Sequence, residues 1–113
     1  MTDRAMTSEQ VTQALAHLPG WRLEEGAIRR TYQTDGWRVT ILAVNAIAWI
    51  CEAADHHADL AVSWPSVGVA LSTHSAGGIT AKDFEVARLI DAQLTWAPPK
   101  GSPLAGPDRP LVR

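Results

Sequence analysis

The stretch AVSWPSVGVALSTH, residues 61–74, decides the architecture. Ala61–Trp64 and Val67–Thr73 are short runs of strand-forming residues on either side of Pro65-Ser66, a turn pair, and together they read as an antiparallel hairpin. Alternation along the second run sends Val67, Val69 and Leu71 to one face, and Gly68, Ala70, Ser72 and finally His74 to the other. One face is core; the other is small and open.

The same logic extends upstream. Trp21–Glu24 and Ala27–Thr34 alternate apolar and polar residues about Glu25-Gly26, which predicts a second hairpin with Trp21, Leu23, Ile28 and Tyr32 turned toward the core. Between the hairpins, Thr34-Asp35-Gly36 opens the longest helix, from about Trp37 to the Asp55-His56 region. Met6–Leu18 forms a first helix, with Thr7 or Ser8 as N-cap, Val11, Leu15 and Leu18 at helical spacing, and Pro19-Gly20 as the stop. Downstream, Ser75–Ile79 is a Gly-rich loop. Thr80 begins a third helix that carries Phe84, Ala87, Ile90 and Leu94 down one side and ends near Trp96. The order helix-hairpin-helix-hairpin-helix predicts an α+β domain: a four-stranded antiparallel sheet with helices packed on one face. Residues 1–96 make one domain. From Ala97 onward five of seventeen residues are proline, and residues 97–113 are expected to form an extended, flexible tail.

A chain of 113 residues, 46% hydrophobic and 19% charged, has room for one core. A net charge of -2 with no cluster of Lys and Arg argues against nucleic acid and acidic membrane surfaces as partners. The single cysteine, Cys51, cannot form an internal disulfide, and Met1–Gln10 lacks the apolar run of a signal peptide, so a cytoplasmic location is expected. Val39–Ala54 is interrupted by Thr40, Asn45 and Glu52 and falls short of the roughly twenty apolar residues of a membrane span. Its apolar residues lie almost all round, which predicts contact on more than one side, the second supplied by another subunit. Cys51, inside this helix, reads as a small buried hydrophobe.

Three of the four histidines gather in Glu52-Ala53-Ala54-Asp55-His56-His57 and at His74. His56 and His57 fall at the C-terminal end of the long helix, where unpaired carbonyls favour imidazolium. Glu52, four residues before His56, lies on its face of the helix. His74, at the mouth of a strand, reaches the same space if that strand runs under the helix end. Two imidazoles at one cleft provide an acid and a base near neutral pH. Proton transfer by such a pair calls for no metal or redox cofactor.

The string Glu52-x-x-x-His56-His57, the aromatic Trp64, Leu71-Ser72-Thr73-His74, Gly77-Gly78-Ile79-Thr80 and Asp83 resembles the signature of the pterin-4a-carbinolamine dehydratases. The similarity runs from about Trp21 to Leu94 and includes Gly20-Trp21. It implies the fold just derived, assembled as a homodimer or homotetramer, and dehydration of a 4a-hydroxytetrahydropterin to the quinonoid dihydropterin in support of an aromatic amino acid hydroxylase. By the resemblance, His56 and His74 are the acid-base pair and His57 binds or positions the pterin. Glu52, Asp55 and Asp83 are the carboxylates that orient the histidines, Trp21 lines the site, and the backbone of Thr73–Ser75 meets the polar edge of the pterin. Ala58 stands where the family generally has proline, and Leu60 where a bulky aromatic is common; losing the proline removes a rigid stop beside His57.

Plainer explanations compete. A His pair at a helix end often does no more than complement the dipole. Asp83, third after Thr80, suits a capping box and needs no other role. Imidazoles at His56, His57 and His74 are also suitable zinc ligands, although neighbouring helical residues point about 100° apart. A non-catalytic scaffold, a dimerisation cofactor or folding aid working through the apolar second helix and the tail, is the alternative function.

Overall fold

A computed structural model describes residues 4–106 and 109–113. Its centre is β4 (Ser66–Leu71), which pairs antiparallel with β3 (Asp59–Ser63) on one side and β2 (Ala27–Gln33) on the other. β1 (Arg22–Glu24) completes the sheet, in the order β1-β2-β4-β3. Three helices, α1 (Ser8–Leu15), α2 (Trp37–Ala54) and α3 (Ala81–Leu94), alternate with the hairpins as the sequence predicts.

Turn chemistry fixes both hairpin registers. Glu24 faces Ala27, and the two residues between them, Glu25 and Gly26, both have positive φ, at 51° and 75°. That is the conformation a two-residue hairpin turn requires, and glycine adopts it at no steric cost. In the second hairpin Ser63 faces Ser66, so the turn is Trp64-Pro65, one residue earlier than the expected Pro65-Ser66. β3 accordingly starts at Asp59 and β4 stops at Leu71.

The register aligns Ile28, Arg30 and Tyr32 with Leu71, Val69 and Val67. On this face Ile28, Tyr32, Val67 and Leu71 are fully buried. α2 presents Thr40, Ala43, Ile47 and Cys51 to the core, and α3 presents Asp83, Val86, Ala87, Ile90 and Leu94. Spacings of three and four residues put each set on one stripe, and each large aliphatic side chain taken from water contributes roughly 1.5–3 kcal/mol. The opposite stripe of α2 is bare: Leu42 and Trp49 are 58% and 70% exposed. By length and composition α2 does match a membrane span, contrary to the expectation that it falls short; its buried stripe belongs to this core.

α1 is capped by Thr7, whose hydroxyl accepts from Gln10 N while the Gln10 side chain accepts from Thr7 N, a reciprocal capping box. The helix stops at Leu15, earlier than the expected Leu18. The segment after α3 has too few apolar groups for a core of its own, and no helix or strand forms there among the described residues. Its end nonetheless returns to the sheet. Gln33 and Arg113 exchange both backbone hydrogen bonds (2.8 and 2.9 Å), Val112 is buried, and Asp35 pairs with Arg109 and Arg113 at 2.8 and 2.5 Å.

Candidate active site

The C-terminus of α2 sets the geometry. Asp55 turns left-handed (φ 49°) and its N–H reaches back to the carbonyls of Cys51 and Glu52, while His56 N donates to Cys51 O at 3.1 Å. The chain thus leaves the helix at Asp55, and helical spacing no longer relates Glu52 to His56. The expected Glu52–His56 pairing is replaced by Glu52–His57, with Oε1 to Nε2 at 2.7 Å. Both partners are well exposed, where such pairs contribute up to about 1 kcal/mol. Ala58, in the place of a proline, keeps an N–H that points at Cys51 Sγ, 3.5 Å away; a proline has no such donor.

His56 turns inward instead. Its Nε2 lies 2.6 Å from Asp83 Oδ1, with the imidazole only 11% exposed and the carboxylate fully buried. Asp83 Oδ2 accepts from the Thr73 hydroxyl at 2.8 Å and from Thr80 N at 2.9 Å. Asp83 therefore closes the capping box of α3 and also holds His56. The first role was legible in the Thr80-x-x-Asp83 spacing; the second depends on α3 packing against α2. Three donors around a buried carboxylate offset its desolvation.

Thr73 is buried and forms an isolated bridge with Gly78. Directly after it, His74 opens a single 3-10 turn, His74–Ala76, rather than ending a strand, and His74 and Ser75 are exposed. His74 is thus attached through Thr73 to the group that holds His56. Asp55 is exposed at the helix cap. Trp21 is buried, and its indole N–H donates to Asp91 Oδ2 at 3.0 Å. Among the described residues no group of three His, Cys, Asp or Glu side chains is arranged to hold a metal ion.

Asp91 is the polar centre that the sequence reading missed. Besides Trp21 it receives Arg30 Nη1 at 2.9 Å and the Tyr32 hydroxyl, and the Arg30 guanidinium lies 4.6 Å from the centre of the Tyr32 ring. Burial, followed by the hydrogen bond and charge of Asp91, pushes the Tyr32 phenol well above its ordinary range. The available signal was Arg30, which shares strand parity with Ile28 and Tyr32 and so faces the core, where an arginine needs an acid.

Fold and site together define a small α+β protein in which His56 and His57 are tethered by carboxylates where the end of one helix meets the start of another. The family model for pterin 4 alpha carbinolamine dehydratase matches residues 4–93. The chain belongs to that family. It is 44% identical over 88 residues to a protein of Aquifex aeolicus, covering 78% of this chain and 89% of that one. A protein of Mycobacteroides abscessus is 45% identical over 89 residues, covering 79% and 95%. Both are provisionally named pterin-4-alpha-carbinolamine dehydratases. A crystal structure described as a transcriptional coactivator/pterin dehydratase from Brucella melitensis superposes with a TM-score of 0.76 at 28% identity, over 79% of this chain and 97% of that one.

Proposed function

We propose that this protein removes water from a 4a-hydroxytetrahydropterin, giving the quinonoid dihydropterin, with His56 and His74 as acid and base. The C4a–O bond breaks as one imidazolium protonates the departing hydroxyl, and the C4a–N5 double bond forms as the other imidazole takes the N5 proton. Only protons and water are exchanged. Each such group typically contributes about a hundred- to ten-thousandfold in rate. His57, steadied by Glu52, contacts the pterin, as do Trp21 and the Thr73–Ser75 backbone; Asp55 orients the histidine pair. The observation that carries the reading is the buried Asp83–His56 pair, because a structural cap alone has no use for an imidazole on its free oxygen.

The reaction is the water-releasing step in recycling of a tetrahydrobiopterin-type cofactor used by an aromatic amino acid hydroxylase, in the cytoplasm. A homodimer or homotetramer is the working assembly, supported by β3 at an edge of the sheet and by the bare Leu42 and Trp49 stripe. Purified protein is expected to accelerate decay of the carbinolamine absorbance in a coupled hydroxylase assay, and His74→Ala to remove most of the gain. Decay no faster than the spontaneous rate would refute the proposal. The same exposed stripe favours a second reading, a dimerisation cofactor or folding aid. A partner retained after loss of both His56 and His74, in a protein without dehydratase activity, would select it.

A further inference from the structure

Hydrogen-bond direction around Asp83 is fixed by counting protons. Thr73 has one hydroxyl hydrogen, and it goes to Asp83 Oδ2, since a carboxylate only accepts. The 2.8 Å contact between the Thr73 and Thr80 hydroxyls must then be donated by Thr80. The Thr80 oxygen is left free to accept from the first-turn amide of Lys82, and Thr80 N donates to Oδ2. Two donors therefore converge on Oδ2 and define its partner Oδ1 as the acceptor facing His56. Satisfying Oδ1 requires the hydrogen on His56 Nε2. Among the described residues His56 Nδ1 has no hydrogen-bond partner.

We infer that Thr73 and Thr80 are positioning residues that lock the carboxylate of Asp83 and, through it, the tautomer of His56, so that Nδ1 is the atom that exchanges a proton with substrate. The inference rests on the dehydratase reading for what Nδ1 does; the tautomer itself does not. In the reaction, neutral His56 takes the N5 proton on Nδ1 and becomes imidazolium, with Nε2–H still directed at Asp83. His74 supplies the proton that leaves with the hydroxyl, and solvent restores both rings. Thr73 thus acts through its side chain as well as its backbone, and its hydroxyl, being buried, faces the carboxylate rather than a ligand.

Asp83→Asn gives the decisive test. The two donors from Thr73 and Thr80 demand the amide oxygen at the Oδ2 position, which turns the amide NH2 toward His56 and forces the ring into the Nδ1–H tautomer. Imidazole 15N chemical shifts, recorded on the full chain without substrate at a pH where the ring is neutral, read this directly. Expected are Nε2–H in the wild type and in Thr73→Ser, Nδ1–H in Asp83→Asn, and a mixture in Thr73→Val/Asp83→Asn, where one of the two locking donors is gone. Turnover is expected to fall steeply in Asp83→Asn; the same exchange beside the histidine of a Ser-His-Asp triad costs about ten-thousandfold. Thr73→Ser is expected to restore the turnover that Thr73→Val loses. Nδ1–H in the wild type, or Nε2–H in Asp83→Asn, overturns the inference. Correct tautomers in a protein that does not dehydrate the pterin overturn the function and leave the lock standing.

Discussion

Asp91→Ala is expected to be among the most damaging single substitutions in the protein, although its carboxylate bonds to none of the candidate histidines. The carboxylate accepts from Trp21, Arg30 and Tyr32. Tyr32 is fully buried and Trp21 6% exposed, so truncation strands two donors away from water, at about 1–3 kcal/mol each. Arg30 is 19% exposed and recovers solvent, and water entering the vacated space relieves part of the rest. The expected loss is therefore about 2–4 kcal/mol, a large share of the roughly 5–15 kcal/mol that holds a domain together. Urea titration with the slope held constant measures it. Asp91→Asn, which keeps one acceptor oxygen, is expected to cost less. A separate signature lies at high pH. Burial and the Asp91 carboxylate hold the Tyr32 phenol above its ordinary range, so the folded state retains that proton after the unfolded chain has lost it. Stability from this source is complete below pH 10 and declines as pH climbs further, and Asp91→Ala should flatten the decline. A loss below about 1 kcal/mol, against the expectation for two stranded donors, would refute the accounting.

Asp35 is held below the ordinary carboxylate range, first by its hydrogen bond to Arg113 and then by the charge of Arg109; docking of the C-terminal segment is thus favoured above that range and lost as pH falls through the lowered value, visible as faster proteolysis after Trp96. Asp35→Asn should give the same sensitivity at neutral pH. Replacing Leu42 and Trp49 by glutamate should reduce the mass measured by sedimentation while leaving the far-ultraviolet spectrum intact. Thr7→Ala removes one half of a capping box and should cost about 1 kcal/mol, seen as a lower Tm.

The fold was legible because its decisive signals are local. Glu25-Gly26 demands positive φ, Val67, Val69 and Leu71 alternate strictly, and Thr80-x-x-Asp83 opens a helix wherever it stands. Boundaries slipped where two local signals compete: Pro65 can occupy either position of the 64–66 turn, and Asp55 ends α2 before His56 by a left-handed turn that composition does not announce. The candidate histidines and carboxylates were legible as a cluster of residue types, and their pairing was partly misread. Glu52–His56 is the natural helical pair until the helix stops short of it, and Asp83–His56 joins positions far apart in sequence. Asp91 escaped because α3 shows it beside Ile90 with nothing in the helix itself to reveal three donors arriving, two from β2 and one, Trp21, from just before β1.

One carboxylate both starts α3 and steers the imidazole of His56, so every substitution at position 83 is read twice, once in the melting curve and once in turnover. A survey that scores folding alone would file Asp83 among helix caps and pass over its chemistry; one that scores activity alone would credit it with losses that belong to a frayed helix. Only variants that separate the two oxygens, leaving the cap and altering the oxygen that faces His56, can apportion the effect.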